Sequence, residues 1–307
     1  MSQEATISSL RAGDEVRGVY ACVRKDRRKT RTGSPYLALE LRDRTGSVPA
    51  RAFRDADQLA GLFERGDIVR VIGRVERFRD ELVVEVADIR RHGAGGESVP
   101  EAASEALTQA FLPVAYRDVD ELDGFLEHLA SEVYDRGYRS LLDALLGDAA
   151  LRAEVRRAPC SRAGHHAYLG GLLEHTVAVA TLARELCDLH RRLNSDLLLT
   201  AAIVHDIGRT REFTYMAEIG LSDEGRLLGH LVLGQQLLSE RFAALGEALD
   251  QSRRLALLHC VMGHHGAAAL PGGRFASAEA LALYRLNALD AGVKGALEHG
   301  LGPPAEG

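Results

Sequence analysis

The sequence predicts two different folds in tandem, a small five-stranded β-barrel followed by an all-helical bundle. Three observations carry that reading. Residues 1–92 hold short runs in which polar and apolar side chains alternate, whereas from residue 101 onward the apolar spacing is helical. A glycine-rich stretch, HGAGGES at 92–98, separates the two. The charge changes with it. The first 92 residues hold 19 basic and 15 acidic side chains, a balance of +4, and the remainder 19 and 29, a balance of −10.

In the first part, residues 14–24 put Val16, Tyr20 and Cys22 on one face, and residues 36–41 do the same with Leu37, Leu39 and Leu41. A short strand at 47–53 follows the turn at 43–46. Helical spacing then runs through Ala56, Leu59, Ala60 and Phe63 over 55–64, and strands at 68–75 and 82–89 complete the set. Five short strands with a helix between the third and fourth is the order of an OB-fold. The barrel is expected over 1–92, a linker over 93–117, a helical domain over 118–300 and a disordered tail over 301–307. Helices are expected at 118–136, 138–146, 148–157, 170–191, 195–206, 226–244, 250–262 and 277–298.

Composition narrows the function classes. No apolar run reaches the length of a membrane span, and the N-terminus lacks the basic-then-apolar pattern of a signal peptide, so a cytoplasmic protein is expected. Cys22, Cys160, Cys187 and Cys260 are far apart and read as free thiols, with no disulfide framework or Cys-rich zinc site. Histidine stands out, because nine of the 12 fall between His165 and His265.

Those histidines sit on inner faces. His205-Asp206 ends an apolar helix in which Leu198, Ala201, Ala202 and His205 share one side. His175 lines up with Val179, Leu182 and Leu186, and His230 with Leu227 and Leu231. His264-His265 closes the next helix, and Asp290 lines up with Leu283, Leu286 and Val293. A buried carboxylate beside a buried imidazole is costly without a partner. Five segments aiming five imidazoles and two carboxylates at one core supply more than one cation needs. Two cations bridged by Asp206 fit that supply. Nitrogen and carboxylate ligands without thiolate suit Mn, Fe, Co, Ni or Zn better than Mg.

The run from His165 through His175-Thr176, HHAYLGGLLEHT, followed by HDIGR at 205–209, resembles the HD-domain metal-dependent phosphohydrolase superfamily. LLGH ending at His230, GHHG at 263–266 and the Asp290 helix extend the match. An OB-fold ahead of such a domain is similar to the YhaM-type 3′→5′ exoribonucleases. The resemblance implies a first metal held by His175, His205, Asp206 and Asp290, and a second held by Asp206, His230, His264 and His265. It also implies manganese as the usual ion, 3′→5′ polarity, and single-stranded RNA as substrate, with single-stranded DNA also used by some members. The implied chemistry is in-line attack by a metal-bridged hydroxide. His165, His166 and Arg209 are the nearest candidates for assisting the leaving oxygen or holding phosphate, and His165 and His166 read equally well as structural. Arg209 stands where many superfamily members have Lys. The residues after His265 lack the HHExxDGxGYP pattern of cyclic-dinucleotide phosphodiesterases.

In the barrel, Arg24, Lys25, Arg27, Arg28, Lys29 and Arg31 put six cations in eight residues, expected as a loop between the first two strands, where OB-folds contact oligonucleotides. Tyr36, Phe53 and Phe78 are candidates for stacking on bases, with core packing the alternative for Tyr36 and Phe53. Three functions compete on this reading. They are an exonuclease with a substrate-capturing barrel, a phosphohydrolase of free nucleotides with a regulatory barrel, and a nucleic-acid-binding adaptor whose helical domain is a degenerate scaffold. A homo-oligomer is compatible with each.

Overall fold

The computed structural model describes residues 6–79, 81–92, 111–215 and 218–300. The expected tail at 301–307 and most of the expected linker, residues 93–110, lie outside the described residues. The chain forms two compact units. One takes residues up to 113 together with 215–220, and the other takes 114–214 and everything from 221 on.

The first unit holds a closed barrel of β1 (Glu15–Lys29), β2 (Pro35–Asp43), β3 (Gly46–Ala52), β4 (Ile68–Phe78) and β5 (Glu81–Arg91), in spatial order β1-β2-β3-β5-β4. β1 closes the barrel on β4, with Glu15 opposite Arg74 and Ala21 opposite Ile68, and β3 meets β5 in parallel. The period-two residues point inward as expected. Val16, Tyr20, Cys22, Leu37, Leu39, Leu41, Val69, Val71, Val84 and Ile89 share one core. A short helix α1 (Ala56–Leu59) covers it with Leu59 and Phe63, and is shorter than the 55–64 expected.

One sequence expectation is corrected here. The basic run is not a loop, because β1 continues to Lys29 and pairs with β2 as far as Lys29 opposite Pro35. Only Arg31 falls in the turn. A bulge between Cys22 and Arg24 shifts the register, and beyond it the strand leaves the core. Apolar alternation therefore stops near residue 23 while backbone pairing goes on, and alternation was the only signal available to a reader of the sequence.

The second unit is helical: α2 (Val119–Ser131), α3 (Arg136–Leu146), α4 (Ala149–Arg157), α5 (Gly171–Leu189), α6 (Ser195–Val204), α7 (Arg209–Glu212), α8 (Asp223–Leu245), α9 (Gln251–Gly263) and α10 (Ala278–His299). Side chains of Asp118, Asp135, Asp148, Asn194, Ser222, Asp250 and Ser277 cap seven of these helices by accepting backbone N–H groups. Each such cap is worth about 1 kcal/mol. Asp135 also explains why α2 cannot run on to 136 as expected, since its backbone must leave helical geometry to cap α3; α2 ends at Ser131. Every residue of α6 from Leu197 to Val204 is buried, as expected of a helix apolar on all sides, and α6 lies at the centre of the bundle. Among the described residues no helix is long and apolar enough to cross a membrane.

Candidate metal centre

α6 ends at Val204, so His205 and Asp206 lie in the turn that follows, at the inner end of the most buried helix. α5 brings His175 alongside. α8 is interrupted at Gly229, whose φ of 70° breaks the helix immediately before His230. Gly208 makes that approach possible. A Cβ there would lie 2.1 Å from the His230 carbonyl oxygen, so no larger residue lets α8 pass this closely. His264 and His265 follow the end of α9, and α10 contributes Asn287 and Asp290.

Asp206 stands between two ligand groups. On one side its Oδ2 is 3.6 Å from His205 Nε2 and 3.8 Å from His175 Nε2. On the other its Oδ1 is 3.3 Å from His264 Nε2 and 3.5 Å from His230 Nε2, and His230 Nε2 is 2.8 Å from His265 Nε2. Each set, His175–His205–Asp206 and Asp206–His230–His264–His265, has its ligand atoms within 4.8 Å of one another. Asp290 groups with His166 and His175 instead, 2.6 Å from His175 Nδ1 and 3.0 Å from His166 Nε2.

The donor set fits cations. Asp206 is 1% exposed, and its Oδ1 and His264 Nε2 are buried without a hydrogen-bond partner. Unpaired buried polar atoms are rare, and two of them 3.3 Å apart, the spacing of two ligands on one ion, are what a cation would satisfy. His205 and His264 each turn Nδ1 to a backbone carbonyl, of Ala202 at 2.8 Å and of Val261 at 2.6 Å, which leaves both Nε2 atoms directed at Asp206.

Residues that the sequence reading passed over hold this arrangement. Buried Glu212 accepts from the His230 backbone N–H and lies 3.2 Å from its Nδ1, so it orients that ring. Arg209, expected to clamp phosphate, is buried and occupied. Its Nε donates to Asp206 Oδ2 at 2.7 Å and Nη1 to Glu212 at 3.1 Å. Although burial alone would raise the Asp206 carboxyl, Arg209 and the adjacent His205 hold it well below the usual carboxylate range. His166 is also buried, and its Nδ1 meets Tyr168, whose hydroxyl donates to Glu174. His165 is half-buried, with Nε2 3.5 Å from the Cys160 thiol. Cys160, read from sequence as an uninvolved thiol, lies against the centre, 3.6 Å from Asp206 Oδ2. Glu212 carried a spacing signal, one helical turn after Arg209. Cys160 carried none, because a loop brings it in.

Burial, and then the neighbouring imidazoles, depress His165 to about 4, and burial holds His205 well below its ordinary 6.5. In the unfolded chain both take up protons near 6.5, whereas the fold refuses them until lower pH. Their stabilising contribution is therefore complete above about 6.5 and is lost as pH falls toward their folded values. Thermal melting of chelator-treated protein is expected to fall steadily from pH 7 to 4.5, and a flat profile would contradict neutral buried imidazoles.

The barrel carries a separate aromatic surface. Tyr36 and Phe53 stack with ring centres 5.2 Å apart, and Phe53 is 44% exposed. Phe78, 46% exposed, lies beneath the Arg51 guanidinium at 4.1 Å and near that of Arg79 at 5.5 Å. Arg24 and Arg28 are exposed and both pair with Asp26, and exposed Arg27 pairs with Asp57 at 3.7 Å. Lys25 turns inward, where its ammonium caps α1 through the carbonyls of Ala60 and Phe63 and meets Glu64.

Fold and site together describe a five-stranded barrel of OB-fold order joined to a helical unit with a His/Asp centre. Residues 19–91 match the family described as OB-fold nucleic acid binding domain, and residues 172–292 match the HD domain family. Over most of its length the chain is similar to proteins named 3′-5′ exoribonuclease YhaM. The one from Bacillus velezensis is 28% identical over 236 residues, covering 77% of this chain and 71% of that protein. The Oceanobacillus iheyensis protein is 26% identical over 83% of this chain and 77% of its own length, and the Bacillus subtilis protein 27% over 77% and 71%. The resemblance drawn from the histidine motifs and the barrel thus extends over more than two thirds of these relatives' length.

Proposed function

We propose that this protein is a metal-dependent 3′→5′ exonuclease that hydrolyses single-stranded RNA, with two divalent cations, manganese by resemblance, in the helical domain and the barrel capturing the strand. One observation carries the reading: two ligand groups meet at the single carboxylate of Asp206, in a chain whose other unit is an OB-fold barrel. His175, His205 and Asp206 would hold one ion, with Asp290 beside them, and Asp206, His230, His264 and His265 the other. When bound, such a pair supplies positive charge to phosphoryl oxygens and acidifies water.

The chain's own residues do the rest. Glu212 fixes the His230 ring, and Arg209 fixes Asp206 so that both of its oxygens face ligands. Glu212 and Arg209 therefore act as positioning residues, as does His166, which holds Asp290 at 3.0 Å. His165, half-buried and neutral at pH 7, is the group at the margin that can hydrogen-bond a phosphate or leaving oxygen. On the barrel, Arg24, Arg27, Arg28, Lys29 and Arg31 are the phosphate contacts of this reading, and Phe53 with Tyr36, and Phe78, are its stacking platforms. Lys25 is left out because its ammonium is engaged internally.

End-labelled single-stranded RNA in manganese tests this. A ladder is expected from a free 3′ end and none from a blocked one. Decay of both, or turnover of mononucleotides without decay of RNA, would replace exonuclease by endonuclease or by nucleotide hydrolase. The same ladder on single-stranded DNA would widen the substrate.

A further inference from the structure

We propose that Cys160, His165 and His175 form a third ligand group, a site for a thiophilic divalent cation such as zinc that competes with the first metal position for His175. The proposal rests on the metal centre described above, because it shares that histidine.

Cys160 lies in the segment between α4 and α5, its side chain fully buried and its backbone N–H donating to the His166 carbonyl at 3.1 Å. Its Sγ is 3.5 Å from His165 Nε2, and the sulfur and one ring nitrogen each of His165 and His175 lie within 4.8 Å of one another. For tetrahedral zinc, with Zn–S of about 2.3 Å and Zn–N of about 2.0–2.1 Å, the sulfur-to-nitrogen edge is about 3.5 Å. The Cys160–His165 edge already has that length. Among the described residues, no cysteine but Cys160 belongs to such a ligand group.

The chemistry separates this group from the other two. Asp206–His230–His264–His265 and His175–His205–Asp206 offer nitrogen and oxygen, which manganese accepts. One sulfur with two imidazoles favours zinc or cobalt. On binding, the S–H bond breaks, an S–metal bond forms, the proton passes to buffer, and no electron moves. A neutral His175 imidazole offers one lone pair and so serves one ion at a time, which means that a thiophilic ion here removes a ligand from the first position. The expected consequence is inhibition of manganese-supported RNA decay by zinc through Cys160.

The test adds Co²⁺ alone to metal-free full-length protein and records its spectrum. The parent is expected to show a thiolate-to-cobalt charge-transfer band in the near ultraviolet beside the visible ligand-field bands. Cys160→Ser, and Cys160→Ala should the serine variant misfold, is expected to lose the near-ultraviolet band and keep the visible ones. Zinc should inhibit RNA decay by these variants at least tenfold more weakly. Visible bands without a thiolate band in the parent would overturn the thiol site and leave the dinuclear centre standing, as would a thiolate band that persists in both variants. No bound cobalt at all would overturn both.

Discussion

Asp206→Ala is expected to remove bound divalent metal and to lower RNA decay by about a thousandfold or more, since the ion pair supplies several kcal/mol to phosphoryl transfer and each 1.4 kcal/mol is tenfold. Asp206 is the one residue common to both ligand groups, with Oδ2 toward His205 and His175 and Oδ1 toward His264 and His230. Its loss leaves the His205 side with two imidazoles and the His230 side with three, and it strands the buried Arg209 cation without its 2.7 Å partner. Arg209 keeps Glu212 at 3.1 Å, but losing one of its two buried carboxylate partners would still destabilise the fold. Asp206→Asn, similar in shape but uncharged, separates the two effects: melting should approach the parent's while metal content, read by elemental analysis, remains low. Full metal-dependent cleavage by either variant would refute a centre built on this carboxylate.

The second large effect is expected in the barrel. Replacing Arg24, Arg28 and Arg31 together by glutamine should weaken RNA binding and reduce the slope of log affinity against log salt by about 0.7 per lost phosphate contact, or about 2 in all. Hydrolysis of a small phosphodiester, which needs no barrel, should be unchanged. Arg24 and Arg28 are exposed and held beside Asp26, so their removal costs little stability; surface pairs of this kind are worth about 0–1 kcal/mol. Lys25 belongs outside this set, because Lys25→Gln would uncap α1 and weaken the barrel itself. Equal loss on RNA and on the small substrate would mean that the barrel does not capture the strand.

How far this protein could be read without coordinates differs between its parts. The barrel's strand order was legible because every strand keeps one face in the core, and period-two spacing reports that face directly. The extension of β1 to Lys29 was not legible, since beyond the bulge pairing continues without apolar side chains. In the helical unit His175 and His205 were legible because each shares a helical face with core residues, Val179 for the first and Leu198, Ala201 and Ala202 for the second. The face expected for His230 does not hold, because Leu227 is 72% exposed and Gly229 breaks the helix before His230, and Val293, expected beside Asp290, is exposed too. Glu212 left only a spacing hint.

What the sequence by itself determined is therefore the pair of folds and the set of histidines and aspartates available to the core, because periodicity is local. The tertiary structure alone decided how those residues are paired. It put Asp206 between two groups, turned Asp290 to His175 and His166, gave Arg209 to Asp206 rather than to open solvent, and carried Cys160 to His165. The contacts of Asp206 with His175, His230 and His264, and of Asp290 with His175 and His166, join elements far apart in the chain through packing of buried helices, with the close passage of α8 over Gly208 among them. Side-chain distances of 3 Å depend on such packing, and no spacing along the sequence encodes them.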